Sequence, residues 1–416
     1  MAAGLAEPRG LLRHRDFMLL FGAESVSVAG SQIGMVALPL VAILTMHAGA
    51  LETGLLTAAQ TSAFVLIGLP AGVWVDRLRR RTVMITADLA RAALLFSIPL
   101  AFWLGGLTLT QLYVVALGAS IGTVFFEVAS QSYLPTLVDR DQLVDGNGKL
   151  ETSRAGAQVV GPSVGGWLVG LVTAPVAIVA DAFSFLASAA VLSRIRVGEP
   201  QRARKDSPGL IREIREGLRH VFAERILRMI ALRSALANLS YSAVLAVQAL
   251  FLVSEVGLSP MAYGASLAAG AVGGLCGGML VKPLVKRLGS ARIIWLGPVL
   301  FQPFALLIPF TGQGAKAGFF IVGSFLTSIG VVVYNVSQIS FRQATTASEM
   351  QGRMNATMRF LVWGAMPVGA LAAGLVGEMY GVRAALWLGV SGLVLSTLPL
   401  LFSPLVRMHD LPDSAS

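Results

Sequence analysis

The sequence predicts an all-α integral membrane protein with twelve transmembrane helices arranged as two pseudo-symmetric six-helix bundles. Three observations carry this reading. First, the 416 residues are 55% hydrophobic and only 13% charged, with a mean hydropathy of +0.73, whereas a soluble domain carries about 25% charged residues. Too little polar surface remains to coat a water-soluble globule. That excludes a cytosolic enzyme, a disordered chain and a secreted disulfide scaffold, and the single cysteine, Cys276, has no internal partner. Second, twelve apolar stretches reach the roughly 20 residues that a helix needs to cross a bilayer. Third, a shift of 208 residues lays one half of the chain on the other.

Taken in order, residues 1–16 form a cytoplasmic tail without the short apolar core of a signal peptide. The spans are 17–46, 51–75, 82–104, 110–136, 148–172 and 175–193, then 229–254, 260–282, 291–311, 317–341, 355–379 and 384–404. They are too long, and too rich in Leu, Ala and Gly, to be barrel strands, which alternate over about ten residues. Several exceed the minimum, so tilts or kinks are expected. Segment 194–228 is the only long connector, and it is charged. It is expected to hold an amphipathic helix from about Pro208 to Phe222 lying along the membrane surface. The connector separates a bundle at 17–193 from a bundle at 229–404, and residues 405–416 are a second cytoplasmic tail.

Basic residues set the orientation. With the N-terminus in the cytoplasm, 26 of the 32 Lys and Arg fall on that side. Arg91, Arg154, Arg233 and Arg359 fall within span ends, and only Lys316 and Arg383 fall outside. The net charge of +10 is therefore a rim facing anionic lipid rather than a nucleic-acid surface. The repeat places Ser120, Ile121, Gly122, Val124, Val128 and Ser132 on Ser328, Ile329, Gly330, Val332, Val336 and Ser340. Farther on, Asn147, Gly161 and Gly166 fall on Asn355, Gly369 and Gly374. Six being even, the halves share one orientation, the arrangement of parallel-repeat transporters with a midplane site.

After span two comes Gly72-Val73-Trp74-Val75-Asp76-Arg77-Leu78-Arg79-Arg80-Arg81. This resembles motif A of the major facilitator superfamily, with Arg79 in place of the usual second glycine. A degenerate copy, Lys286-Arg287-Leu288-Gly289, follows span eight. Span five holds Gly161-Pro162-Ser163-Val164-Gly165-Gly166, which resembles motif C of the superfamily's antiporters. Glycines let helices approach closely and proline bends them, so the same residues also serve ordinary helix packing. The stretch matches a serine-hydrolase elbow too, but no strand precedes it, and His14, His47, His220 and His409 all lie in tails or loops. Phe125-Phe126 through Leu134-Pro135, Gly146-Asn147-Gly148, Asp181 to Phe185, Arg215 to Leu218 and Gln351-Gly352-Arg353 are similar to one branch, the third drug:proton antiporter family. That branch includes macrolide-efflux and enterobactin-exporter proteins.

The resemblance implies the major facilitator fold, a central cavity lined by spans one, four, seven and ten, and a gate at motif A. Gly72, Asp76, Arg77, Arg80 and Arg81 would form that gate, with Asp76 meeting the start of span eleven near Gly352 to Asn355. Gly161, Pro162, Gly165 and Gly166 would pack on span eight and seal the outer side. The arginines of motif A also serve to set topology.

An ionisable group inside the membrane is a functional hypothesis by default. Glu24, Glu127 and Asp181 are the candidates for proton coupling. Asp88, Arg91, Glu151 and Arg154 are expected to form an inner charge network with motif A. Gln32, Thr123, Gln131, Asn238, Tyr241, Gln248, Tyr334, Asn335 and Gln338 are candidates for the cavity wall, or else for interhelical hydrogen bonds.

Together these features predict a secondary transporter, not an enzyme: a proton-coupled antiporter exporting amphipathic small molecules or drugs. Siderophore, lipid or metabolite export, uniport and symport remain open alternatives. No metal or cofactor is expected, and no P-loop is present, so ATP is not the direct energy source. Protons, a small-molecule substrate and membrane lipid are the expected partners, with the chain acting as a monomer. The bias of 27 Arg against 5 Lys points to a GC-rich bacterial genome and hence to a bacterial inner membrane.

Overall fold

The computed structural model describes Leu11 and residues 14–139, 142–197 and 210–410, with the side chains of these except at 69, 73, 76, 210–214, 348 and 349. Among the described residues there is no strand. The first half comprises α1 (Arg15–Leu40, continued by a π-helical turn Val41–Thr45), α2 (Ala50–Arg77), α3 (Arg80–Trp103), α4 (Leu109–Leu137), α5 (Leu143–Leu171) and α6 (Ala174–Leu192). A short α7 (Leu210–Ala223) precedes the second half. That half comprises α8 (Arg225–Leu250, continued by a π-helical turn Phe251–Glu255), α9 (Pro260–Leu288), α10 (Arg292–Phe301), α11 (Gly318–Thr345), α12 (Ser348–Tyr380) and α13 (Val382–Leu395, then a turn at Leu398–Leu401). The first span of each half ends in the same π-helical turn, a structural trace of the repeat.

Eleven of these helices are long and apolar enough to cross a membrane. Helix α5 has the length, 29 residues; its glycines, Arg154 and polar first turns dilute its hydropathy. The ninth span is less regular than expected. After Phe301 it tightens to a 3-10 helix over Gln302–Phe310, where Pro303 and Pro309 remove backbone donors. Helices α5, α9 and α12 also run several residues past the apolar stretches, because a helix continues through its polar turns while hydropathy does not.

Within the first half, α1 packs on α5 and α6, α2 on α4, and α3 on α4 and α6. Within the second, α8 packs on α12 and α13, and α9 and α10 on α11. The halves meet along α2–α12, α5–α9 and α2–α8. Both long crossings are closest near one face, opposite the face where α1 starts. A Cβ at Gly166 would lie 2.3 Å from the Pro260 carbonyl oxygen, and one at Gly264 2.2 Å from that of Pro162. A Cβ at Gly54 would lie 2.8 Å from the Gly374 Cα. Gly374 is the repeat equivalent of Gly166, so each half contributes the same glycine to a crossing with the other. Among the described residues no such glycine contact joins the halves at the other face, where Gly72, Gly156, Gly278 and Gly352 have no neighbour within 4 Å of a Cβ position.

The core repeats this pattern. Toward the sealed face one apolar cluster runs through both halves, from Val36 and Ile178 to Val244 and Ala370. Toward the other face it splits, with Phe17, Met84 and Tyr133 in one half and Ile230, Tyr334 and Phe341 in the other. The cleft between the halves therefore opens at the face where α1 begins, called the basic face below.

Helix α7 of the connector is anchored to the second half. It docks on the start of α12: Glu216 pairs with Arg353 at 2.6 Å, Val221 is buried, and Gly217 sits against Arg353 and Thr357. The first residues expected in this helix, Pro208 and Gly209, lie outside the described residues.

Candidate functional site

At 1.5 Å per residue, the charged groups inside the spans share one level, about 12 to 17 Å along their helices from the basic face. Glu24 lies on α1, Asp88 and Arg91 on α3, Glu127 on α4, Arg154 on α5, Asp181 on α6, Arg233 on α8 and Arg359 on α12. Helix geometry thus converts eight scattered sequence positions into one layer.

In the first half the layer is built from acid–arginine pairs. Glu24 is 2% exposed. Its Oε1 accepts a hydrogen bond from Ser130 Oγ and lies 3.3 Å from Arg154 Nη2. Arg154 also reaches Glu151 at 3.9 Å. Asp88 and Arg91 form a buried ion pair, and the Arg91 guanidinium is sandwiched over the Phe126 and Phe185 rings at 4.8 and 4.0 Å. Thr123 Oγ1 accepts from Arg91 Nη1 at 3.4 Å. Burying a lone charge in such surroundings costs several kcal/mol, which explains why each of these carboxylates faces a guanidinium.

Glu127 stands between the two pairs. It is half-buried, and the charges of Arg154, Arg359, Arg91 and Glu24 act on its carboxyl group. Two of its arginine neighbours come from its own half, and Arg359 comes from across the cleft. Among the described residues Glu127 forms no direct ion pair, so its carboxylate is the available acid of the layer. Gln131, one turn along α4, is exposed.

Other expected site residues fall elsewhere. Asp181 is buried against the α1 backbone, where a Cβ at Gly34 would strike its Oδ2, and it carries no cleft surface. Gln32 packs beneath Gly161 at the α1–α5 crossing. Tyr334 is fully buried rather than cavity-lining: its hydroxyl meets Ser234 Oγ at 2.8 Å and the Arg233 guanidinium covers its ring at 3.7 Å. Gln248 lies beside the buried Tyr263 hydroxyl at the sealed end. Gln338 is buried, and Asn238 donates to the Ser234 carbonyl at 3.0 Å. Tyr241 and Asn335 are exposed.

At motif A, Arg81 Nε donates to the Leu192 carbonyl at 3.0 Å and Nη2 to that of Ser193, capping the end of α6. Arg80 is buried, Arg77 is exposed, and Gly72 has open space around it. The side chain of Asp76 lies outside the described residues. At motif C, Gly161 and Gly165 face α1 while Pro162 and Gly166 face α9, the eighth span.

Sequence reasoning missed Arg359, which it set at a span end. In the structure it sits one-third along α12, exposed, with its guanidinium 4.6 Å over the Phe64 ring of α2. Phe64 in turn packs on Trp363 at 4.9 Å. The available signal was the helical phase of 348–358, whose polar turns extend the helix below the apolar stretch.

A bundle pair that grips at one face, parts at the other and carries acids at the level between is the architecture of a secondary transporter of the major facilitator superfamily. Within that class the chain belongs to the transmembrane secretion effector family, which it matches over residues 7–416. Relatives include the multidrug efflux pump Tap of Mycobacterium tuberculosis, 29% identical with 96% of each chain covered. Macrolide efflux protein A of Streptococcus pyogenes is 24% identical, covering 90% of this chain and 92% of its own. Among solved structures, the nucleoside transporter NupG superposes with a TM-score of 0.76 at 12% identity, covering 93% and 98%. A bacterial homologue of the iron transporter ferroportin in its inward-facing state superposes with a TM-score of 0.75 at 19% identity, covering 95% and 99%.

Proposed function

We propose that the chain is a proton-coupled antiporter that exports amphipathic small molecules from a bacterial cell by alternating access, with its basic face in the cytoplasm. The half-buried Glu127, unpaired in a cleft that opens at one face only, is the observation that carries the reading. The names of the Tap and macrolide-efflux relatives support export of drug-like cargo. The 26 Lys and Arg that the sequence assigns to one side of the spans support the orientation.

The mechanism follows from the layer. With the cleft open to the cytoplasm, Glu127 releases its proton and a cationic part of the substrate takes its place. The bundles at 17–193 and 229–404 then rock about the layer, parting at the glycine crossings and closing at the basic face, where Asp76 and Arg77 form the gate. A proton from outside displaces the substrate and the cycle resets. Each charge moved across the membrane supplies about 2.3 kcal/mol per 100 mV. Glu24, held by Ser130 and Arg154, positions Arg154 beside Glu127 and serves as a second acid when Arg154 moves.

The test is uptake into inverted vesicles under an imposed proton gradient, screened across dye, macrolide and siderophore substrates with and without a protonophore. Uptake that the protonophore abolishes supports the reading; gradient-independent uptake of every substrate removes proton coupling.

A further inference from the structure

The two halves contribute opposite charge to the layer. Every acid within it, Glu24, Asp88, Glu127 and Asp181, belongs to the first half. The second half contributes Arg233 and Arg359, while its own Glu224, Glu255, Glu349 and Glu378 sit at helix ends. The first half neutralises its arginines internally, in the pairs Asp88–Arg91 and Glu24–Arg154. Arg359 has no carboxylate partner among the described residues; its one partner is the face of Phe64.

The location of Arg359 follows from solvation. An exposed guanidinium facing hydrocarbon at this depth is strongly disfavoured, so it faces the water of the cleft. Phe64, on which it rests, belongs to an apolar cluster with Val124, Ile121 and Val128 of α4, the turns that flank Glu127. Arg359 and Glu127 therefore face one space from opposite walls, with the exposed ring of Trp363 beside them.

Building on the export reading, we propose that Arg359 is the anion-recognising pole of the substrate site and Glu127 its cation-recognising pole, so that the site selects zwitterionic amphiphiles. A purely cationic substrate reaching Glu127 is repelled by Arg359. A molecule carrying both charges presents its cation to Glu127 and its carboxylate to the planar fork of Arg359, which matches two oxygens at once. Its aromatic body lies over Trp363. Selection arises from the repulsive pole as much as from the attractive one.

The test uses two dyes with one xanthene skeleton, rhodamine B, a zwitterion at neutral pH, and its ethyl ester, a cation only. Their binding to the purified full-length protein is followed by fluorescence anisotropy, with size-exclusion profiles confirming that each variant is folded. The expected result is about tenfold or tighter binding of the zwitterion by wild type, the scale of one charge-assisted pair. Arg359→Gln loses that preference, the zwitterion weakening while the ester binds as well or better. Arg359→Lys keeps part of it. Equal affinities in wild type, binding of neither dye, or a preference unchanged in Arg359→Gln overturns the proposal. Failure of the export reading is separate: a zwitterion preference at Arg359 without gradient-driven uptake leaves this site standing and removes proton-coupled export.

Discussion

A methyl group added at Gly166 is expected to open the sealed face. The Cβ of Gly166→Ala would lie 2.3 Å from the Pro260 carbonyl oxygen and 3.0 Å from the Gly264 Cα. The first of these is about 1 Å short of an ordinary carbon–oxygen contact. Both obstacles are backbone, so no side chain can swing aside, and relief requires α5 and α9 to part. Overpacking of this size costs about 1–3 kcal/mol, and the cost falls only on the state in which the two helices cross here. At 1.4 kcal/mol per tenfold, the closed state loses roughly 5- to 150-fold in population relative to the state open at this face. The assay is electron–electron distance measurement between spin labels at Thr173→Cys and Gln313→Cys, exposed positions on opposite halves at this face, with Cys276 replaced by Ser. A longer-distance population should appear with Gly166→Ala. Gly170→Ala, one turn on with nothing within 4 Å of its Cβ, should leave the distribution unchanged. An unchanged distribution for Gly166→Ala would show that this crossing does not hold the face shut.

Removing one partner of the Glu24–Arg154 pair strands a buried carboxylate, and Arg154 is itself partly exposed, so Arg154→Gln should destabilise the protein by about 2–3 kcal/mol. Adding Glu24→Gln should restore much of that loss in thermal unfolding; additive losses would contradict the pairing. Arg353→Ala should release α7 from α12 and expose the Arg219 peptide bond to trypsin, a change that trypsin mapping of the wild type should not show. The contact between Asp410 and Ser290 gives a pH signature. Asp410 accepts from the Ser290 backbone N–H at 2.9 Å and contacts His409, and these bonds hold its carboxyl at about 2 against an ordinary 3.8. A depressed value means that this contact's contribution is complete above the ordinary value and is lost as pH falls toward 2. Amide protection at Ser290 should therefore persist down to about pH 4 and be lost below it, whereas Asp410→Ala should lack it at neutral pH.

The span count and the repeat were legible because hydropathy and glycine spacing are local in sequence. The match of Gly161 and Gly166 to Gly369 and Gly374 already held the two crossings: Gly369 packs on Leu239 of α8 as Gly161 packs on α1, and Gly374 meets α2 as Gly166 meets α9. Depth was harder to read. Apolar stretches mark where the helix meets lipid, not where it begins, so Arg359 and Arg154 were set at span ends when both lie eleven residues into their helices. Side-chain direction was harder still. Tyr334 and Gln32 share the helical phase of cavity residues, yet Tyr334 turns to Ser234 within its own half and Gln32 to the motif C glycines. Glu127 stands out in the sequence because an acid within a span is rare, and the structure places it half-buried at the level of the charged layer.

Proton release on substrate binding reaches the coupling most directly. Purified protein in weakly buffered solution is mixed with an exported substrate while a pH indicator is followed. Wild type should release protons in proportion to substrate bound, and Glu127→Gln, whose weakened binding calls for a higher substrate concentration, should show no release when it is loaded. Release of the same size from Glu127→Gln, or tight substrate binding by wild type with no release at all, would contradict the exchange of cargo for a proton at this carboxylate.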